Sequence, residues 1–278
     1  MHGDRTRRGF LGWANSALAG VSLAGRRLEA ADTRHAPEGE DYYDKLGVTK
    51  IINAAGTYTA LTASTMPPSV QAAVARAAKH PVRLQELQKA AGEYLARQLK
   101  CEAAMVTAGA ASALTLGTAA AMAVGNRAAI HNIPTDVSGL KNEVVVQKGH
   151  RYDYDHAIRN CGARFVEVVT LADCEAAFND RTAMTNFFNA AEQGEIGRED
   201  WVRVAHRHGV PCLNDAAADV PPISNLWNYT QMGFDMVAYS AAKACAARRM
   251  PVYCWAERIL LQPPRRITIQ IPIRSGGA

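Results

Sequence analysis

Between residues 143 and 240 short apolar runs alternate with segments in which apolar residues return every three or four positions. EVVVQ (143–147), RFVEVV (164–169), the run around MTNFFNA (184–190), VPCLND (210–215) and FDMVAYS (234–240) are too short for helices and nearly continuous in apolarity. That predicts strands buried on both faces. Between them DYDHAIRNCG (153–162), DCEAAFND (173–180) and GREDWVRVAHRHG (197–209) read as helices, the first and last closed by glycine. Upstream, VQAAVARAAKH (70–80) follows Pro67 and Pro68, residues suited to a helix start, and LQELQKAAGEYLARQL (84–99) is amphipathic. Ala103–Val106 is a further strand, opening through TAGAAS (107–112) into the small-residue helix ALTLGTAAAMAV (113–124). IINAAG (51–56) is expected to be a strand or strand end running into a loop. The whole predicts an α/β fold, a mostly parallel sheet sandwiched by helices.

Charge separates the ends from the body. The chain of 278 residues carries a formal +5. Residues 1–31 hold +3 of it and residues 241–278 hold +6, which leaves −4 for residues 32–240. A mildly acidic body argues against a broad nucleic-acid surface, because such binding rests on neutralising phosphates. No apolar run approaches the roughly 20 residues of a spanning helix. The six cysteines (101, 161, 174, 212, 245 and 254) show no CxxC pair. His206, His208 and Cys212 surround a helix end, where cations are favoured in their own right, and no metal site is expected there.

TRRGFL (6–11), followed by the weakly apolar WANSALAGVSLAG, resembles a twin-arginine export signal. Residues 1–31 are therefore expected to be a signal peptide and the protein to be exported, with 32–49 a polar linker and 50–240 the domain proper.

Ligands of such sheets bind beyond the carboxyl ends of the strands. Three such ends carry suggestive residues. Thr107–Ser112 joins a strand to a helix N-terminus, whose unpaired amides can cradle a phosphate. Asp215 ends VPCLND, and Lys243 follows FDMVAYS by three residues. A phosphate cradle, an acid under a pyridine nitrogen and a Schiff-base lysine together describe pyridoxal-phosphate chemistry.

From about Tyr42 to Ser240 the sequence resembles fold-type-I pyridoxal-phosphate enzymes of the selenocysteine synthase (L-seryl-tRNA(Sec) selenium transferase) group, above all its D-glucosaminate-6-phosphate ammonia-lyase-like branch. The resemblance is carried by INAAGTYT, MPPSV, LQELQKAAGEYLARQL, VTAGAASAL, KGHRYDYDHAIRNCGARFVEV, RHGVPCLNDAAADVPP and MGFDMVAYS. It implies pyridoxal 5'-phosphate as cofactor, with Gly109, Ala110 and Ser112 in the phosphate loop and Ser240 adding a phosphate contact. It further implies His150 near the cofactor ring, Asp215 on the pyridine nitrogen, Lys243 as the Schiff-base lysine, and Asn53 and Thr57 at the substrate entrance. A homo-oligomer, at least a dimer, also follows from it.

The family continues after the last strand as YSGGKG and a loop like LRGPQNAGLLLGRKDLI, whereas this chain reads YSAAKACAARRMPVYCWAERILL. Codons compatible with the written residues, read in a shifted frame from Ala241, give GKGLRGPQNAGLLLGRKD. One base lost near the codons of Ala241 and Ala242 accounts for the written tail. Residues 241–278 are thus expected to be a frameshifted, poorly ordered tail that replaces the small C-terminal domain of the family. The expected function is a lyase or transferase acting at the α and β carbons of an amino acid or amino sugar acid, with tRNA disfavoured as a substrate. The alternative is a catalytically dead, truncated remnant. A Rossmann-type nucleotide binder is disfavoured, because TAGAAS lacks the required glycine spacing.

Overall fold

A computed structural model describes residues 41–124, 126–189, 194–244 and 259–261. The expected signal peptide and most of the expected tail lie outside these residues. The chain divides into two compact units, 1–52 and 53–278. In the first, helix α1 (Tyr42–Lys45) is capped by the Asp41 carboxylate, which accepts from the Tyr43 amide at 2.8 Å. Lys50 reaches both Asp41 and Asp44 at 2.8 Å.

The second unit is built on one seven-stranded sheet: β1 (Met105–Thr107), β2 (Glu143–Gln147), β3 (Arg164–Val168), β4 (Thr182–Phe188), β5 (Cys212–Asp215), β6 (Met236–Ala238) and β7 (Ile259–Leu261). Its order is β1-β7-β6-β5-β4-β2-β3. The contacts from β6 to β3 are parallel, and β7 runs antiparallel to both β1 and β6. Helices α2 (Pro68–Ala77), α3 (Leu84–Leu99), α4 (Ala110–Met122), α5 (His156–Arg159), α6 (Leu171–Ala176), α7 (Arg198–Arg207), α8 (Asn225–Met232) and α9 (Ala241–Ala244) supply the layers and connections.

Successive strand residues face opposite sides, so each strand feeds two cores. Val144, Met184, Leu213 and Met236 pack in one with Leu114 and Met122 of α4 and Ile158 of α5. Val145, Phe187, Cys212 and Val237 pack in the other with Trp201, Val202 and Val204 of α7. This two-sided burial is why the strands read as unbroken apolar runs. Helix α3 comes close enough to β1 that a Cβ on Gly92 would lie 2.4 Å from the Ala104 carbonyl oxygen. The Gln88 amide donates to the Val106 carbonyl at 2.7 Å beside it.

Two expectations need correcting. The run IINAAG forms no strand: Ile51 and Ile52 are exposed, and two apolar residues without a partner strand cannot hold an extended ladder. Within the expected tail, Ala241–Ala244 form α9 and Ile259–Leu261 supplies β7, the strand through which β1 joins the sheet, and the other residues of the tail lie outside the described ones. Residues 153–162 form a 3-10 turn and then α5 rather than one continuous helix, and Gly162 follows at φ 79°.

Candidate active site

Because β1 and β6 both run antiparallel to β7, they are parallel to each other, and the carboxyl ends of β1, β6, β5, β4 and β2 share one edge. The sheet order places the Ser240–Lys243 turn, which leaves β6, between the Gly109 loop after β1 and Asp215 at the end of β5.

Asp215 is buried, with 3% of its surface exposed. One carboxylate oxygen accepts from the Ala217 amide at 3.0 Å, and the other accepts from the Tyr152 hydroxyl. Burial pushes its pKa up, while the bonds from Tyr152 and Ala217 and the nearby Lys243 ammonium draw it back. The Tyr152 ring lies flat on Phe188, 3.9 Å between centroids and 12° from parallel. Burial and the neighbouring Asp215 raise the Tyr152 phenol well above its usual range, so it stays a donor.

A second carboxylate, Asp219, accepts from the Tyr229 hydroxyl at 2.8 Å. Burial raises its pKa too, opposed by Tyr229, by Arg198 and by Lys243. Lys243 therefore acts on both acids. It is half-buried in α9, and its amide donates to the Ser240 carbonyl at 3.1 Å. The Ser64 hydroxyl donates to the Ala242 carbonyl and so fastens the loop that begins at Asn53 to the lysine turn.

His150 is 2% exposed and meets Phe187 edge to face at 4.5 Å. Its Nδ1 accepts from the Phe188 amide at 3.3 Å. Burial, with the Arg198 charge adding to it, lowers the His150 pKa to about 4, so the ring is neutral at physiological pH. The Arg198 guanidinium sits over the Phe187 and Tyr229 rings, at 5.7 and 5.9 Å, and donates to Asn189 at 2.7 Å.

Gly109 caps α4 at φ 141°, a backbone conformation that favours glycine, and a Cβ there would meet nothing within 4 Å. The first-turn amides of α4, at Ala110, Ala111 and Ser112, have no acceptor within the helix. They face the same sheet edge as Asp215. Asn53 uses its side chain within its own loop, donating to Gly56 at 2.8 Å and to Ala63 at 3.2 Å and accepting from Ala55 at 3.1 Å. Thr57 is half-buried in that loop.

The donor set fits pyridoxal phosphate: helix-terminal amides for a dianion, a buried carboxylate for a ring nitrogen, and a lysine between them. The sequence-predicted Asp215 and Lys243 are brought together, and Gly109, Ala110, Ser112 and Ser240 are set along the same edge. His150 packs behind the end of β4. Tyr152, Asp219, Arg198 and Asn189 belong to the site and carried no sequence signal beyond the nearness of Tyr152 to His150 and of Asp219 to Asp215.

No family model matches the chain. It is 36% identical over 214 residues to D-glucosaminate-6-phosphate ammonia lyase of Salmonella typhimurium (strain 14028s / SGSC 2262), covering 73% of this chain and 57% of the relative. It is 30% identical over 226 residues to 5'-C-glycyluridine monooxygenase-decarboxylase of a Streptomyces species, covering 76% and 55%. A solved structure of D-glucosaminate-6-phosphate ammonia-lyase superposes with a TM-score of 0.71 at 33% identity, over 82% of this chain and 61% of that one. The chain thus spans rather over half the length of the relatives it matches. Sheet order, the lysine turn beside a buried strand-end acid and these likenesses agree: the chain has the fold of the fold-type-I pyridoxal-phosphate enzymes and is similar, among them, to D-glucosaminate-6-phosphate ammonia lyase.

Proposed function

We propose that this protein binds pyridoxal 5'-phosphate and acts as a lyase at the α and β carbons of an amino acid or amino sugar acid. The observation that carries the reading is the placement of the Ser240–Lys243 turn between the N-terminus of α4 and buried Asp215 along one sheet edge. When bound, the cofactor supplies an aldehyde that condenses with amines and a ring that accepts electron density from the substrate's α carbon. Asp215 would hold the ring nitrogen protonated. The Tyr152 hydroxyl and the Ala217 amide fix the carboxylate's orientation and, with a smaller contribution from Lys243, oppose the rise in pKa that burial imposes. The amides of Ala110–Ser112 would hold the phosphate, with the positive end of the α4 dipole behind them. The Lys243 Nζ would remove the α proton of the substrate and return a proton after the β substituent departs. Arg198, fixed by Asn189 and the two aromatic rings, offers a cation for an acidic substrate group.

Support for an amino sugar acid as substrate comes from the relative at 36% identity, whose name gives that class. The acidic body of the chain speaks against seryl-tRNA. Export by the twin-arginine route belongs to the same proposal, supported by TRRGFL alone. The test is reconstitution with pyridoxal phosphate, borohydride reduction and peptide mass mapping, with ammonia release from D-glucosaminate-type compounds set against filter binding of seryl-tRNA. The expected result is a reduced adduct on Lys243, absent from Lys243→Ala, and ammonia from the sugar acid. A chain that takes up no cofactor would instead be the inactive remnant.

A further inference from the structure

At the opposite end of β5 from Asp215, three side chains of different kinds converge. His206 lies in the last turn of α7, Cys212 opens β5, and Asp235 immediately precedes β6. His206 Nε2 is 3.0 Å from Asp235 Oδ2, Cys212 Sγ is 3.3 Å from the same oxygen, and Sγ and Nε2 are 3.9 Å apart. A tetrahedral zinc ion, with bonds of about 2.0–2.3 Å, sets its ligand atoms about 3.3–3.5 Å apart. Each of the three separations lies within about half an ångström of that edge.

We propose that His206 Nε2, Cys212 Sγ and Asp235 Oδ2 form a binding site for a zinc-class divalent cation, distinct from the candidate active site. One thiolate, one imidazole and one carboxylate form a set that favours zinc over magnesium or calcium, which take oxygen ligands. The thiol is fully buried and the carboxylate mostly so, whereas 45% of the imidazole side chain is exposed. A cation therefore has an approach from solvent, and water can complete its shell. Asp235 Oδ2 also accepts from the Cys212 amide at 2.9 Å. This does not compete with coordination, since a carboxylate has about four lone-pair sites. Binding sends the Cys212 proton to solvent and uses the imidazole tautomer protonated on Nδ1, so about one proton is released per ion.

The nearby His208 takes no part: it stacks on Phe178 at 4.3 Å and contacts Glu175 at 3.2 Å. Cys212 and Asp215 are three steps apart along the strand, about 10 Å. The site's role is thus structural. It ties the end of α7 to the starts of β5 and β6, the strands that carry the proposed cofactor acid and the lysine turn.

The test uses the purified full-length chain titrated with Co²⁺, then Zn²⁺. The expected result is a near-ultraviolet thiolate-to-cobalt charge-transfer band that saturates at one ion per chain and is displaced by Zn²⁺, together with a Zn²⁺-dependent rise in Tm. Cys212→Ser should abolish the band. His206→Ala, a change at an exposed position, should weaken binding at least about tenfold, since even outer-shell changes at metal sites have effects of that order. A cobalt spectrum without the thiolate band, or one unchanged in His206→Ala, overturns the proposal. Neither readout depends on pyridoxal phosphate or on enzymatic activity, so the outcome is separate from that of the proposed function.

Discussion

The Tyr152 hydroxyl donates to the buried Asp215 carboxylate that the proposed cofactor would engage. Tyr152 thus satisfies one oxygen of this acid, as the Ala217 amide satisfies the other, and its ring is held by the stack on Phe188. Tyr152→Phe preserves the stack and removes the donor. A buried acceptor left short of a donor costs about 1–3 kcal/mol. Urea denaturation should show a loss of that order without cofactor and a smaller one with pyridoxal phosphate, whose ring nitrogen supplies the missing donor. Equal losses in both states would place the cofactor elsewhere.

Asp215 and Asp219 have pKa values raised chiefly by burial. Between the ordinary carboxyl value and the raised one, the folded chain holds more protons than the unfolded chain. Stability from these groups is therefore present at low pH and lost as pH rises through the folded pKa. Asp215→Asn removes its share of that loss. The variant without cofactor should be more stable than the parent at neutral pH, and the difference should fade as pH falls towards about 4. The same variant should lose pyridoxal-phosphate retention, visible as a missing cofactor band after gel filtration. A site selected for function rather than stability behaves in this way.

The sequence made the sheet legible because strands buried on both faces cannot hide their apolarity. EVVVQ coincides with β2, and RFVEVV extends one residue past β3. Asp215 and Lys243 were legible as strand-end residues, since connectivity alone brings parallel strand ends to one edge. Tyr152 was not: it sits in irregular backbone after β2, and only the packing of β2 beside β4 and β4 beside β5 carries its hydroxyl to Asp215, 63 positions away. Arg198 falls within the helix expected over GREDWVRVAHRHG, and its position over Phe187 and Tyr229 has no period of its own. IINAAG failed because local apolarity says nothing about whether a partner strand is present.

His150 gives a pH effect of the opposite sign. Its folded pKa is lowered to about 4, mainly by burial and further by Arg198. On acidification below about 6.5 the unfolded chain takes up a proton that the folded chain refuses. Stability is therefore lost as pH falls from about 6.5 to 4, by up to about 1.4 kcal/mol per pH unit. His150→Asn keeps an acceptor for the Phe188 amide and cannot titrate. Urea midpoints measured across this range should fall less steeply for the variant. Asp215 and Asp219 are common to both proteins and cancel in the comparison.

Gly92 sets two effects against each other. Alanine is the better helix former by about 1 kcal/mol. Its Cβ, however, would lie 2.4 Å from the Ala104 carbonyl oxygen, a backbone atom that cannot swing aside. Overpacking of this kind costs about 1–3 kcal/mol, so the clash wins. Gly92→Ala should lower Tm, whereas alanine at the exposed Lys89 position of the same helix should change it little.

Ser64 tests the link between the loop that begins at Asn53 and the lysine. Its hydroxyl bonds the Ala242 carbonyl, one residue before Lys243. The loop is otherwise braced by the Asn53 amide, which reaches Gly56, Leu61 and Ala63, so it should keep its shape without Ser64. Ser64→Ala should then free α9 rather than unfold the loop. A neutral hydrogen bond contributes about 1 kcal/mol net, which corresponds to a five- to tenfold effect if its whole value serves to hold the lysine turn in place. The appearance of the cofactor band on mixing with pyridoxal phosphate should slow by that factor while Tm falls by no more than about 2–4 °C, the shift that about 1 kcal/mol produces in a domain of this size. Ser64→Thr retains a hydroxyl and should recover most of the rate. A large fall in Tm for Ser64→Ala, or no recovery with threonine, would mean that the loop depends on Ser64 for its fold and not for placing Lys243.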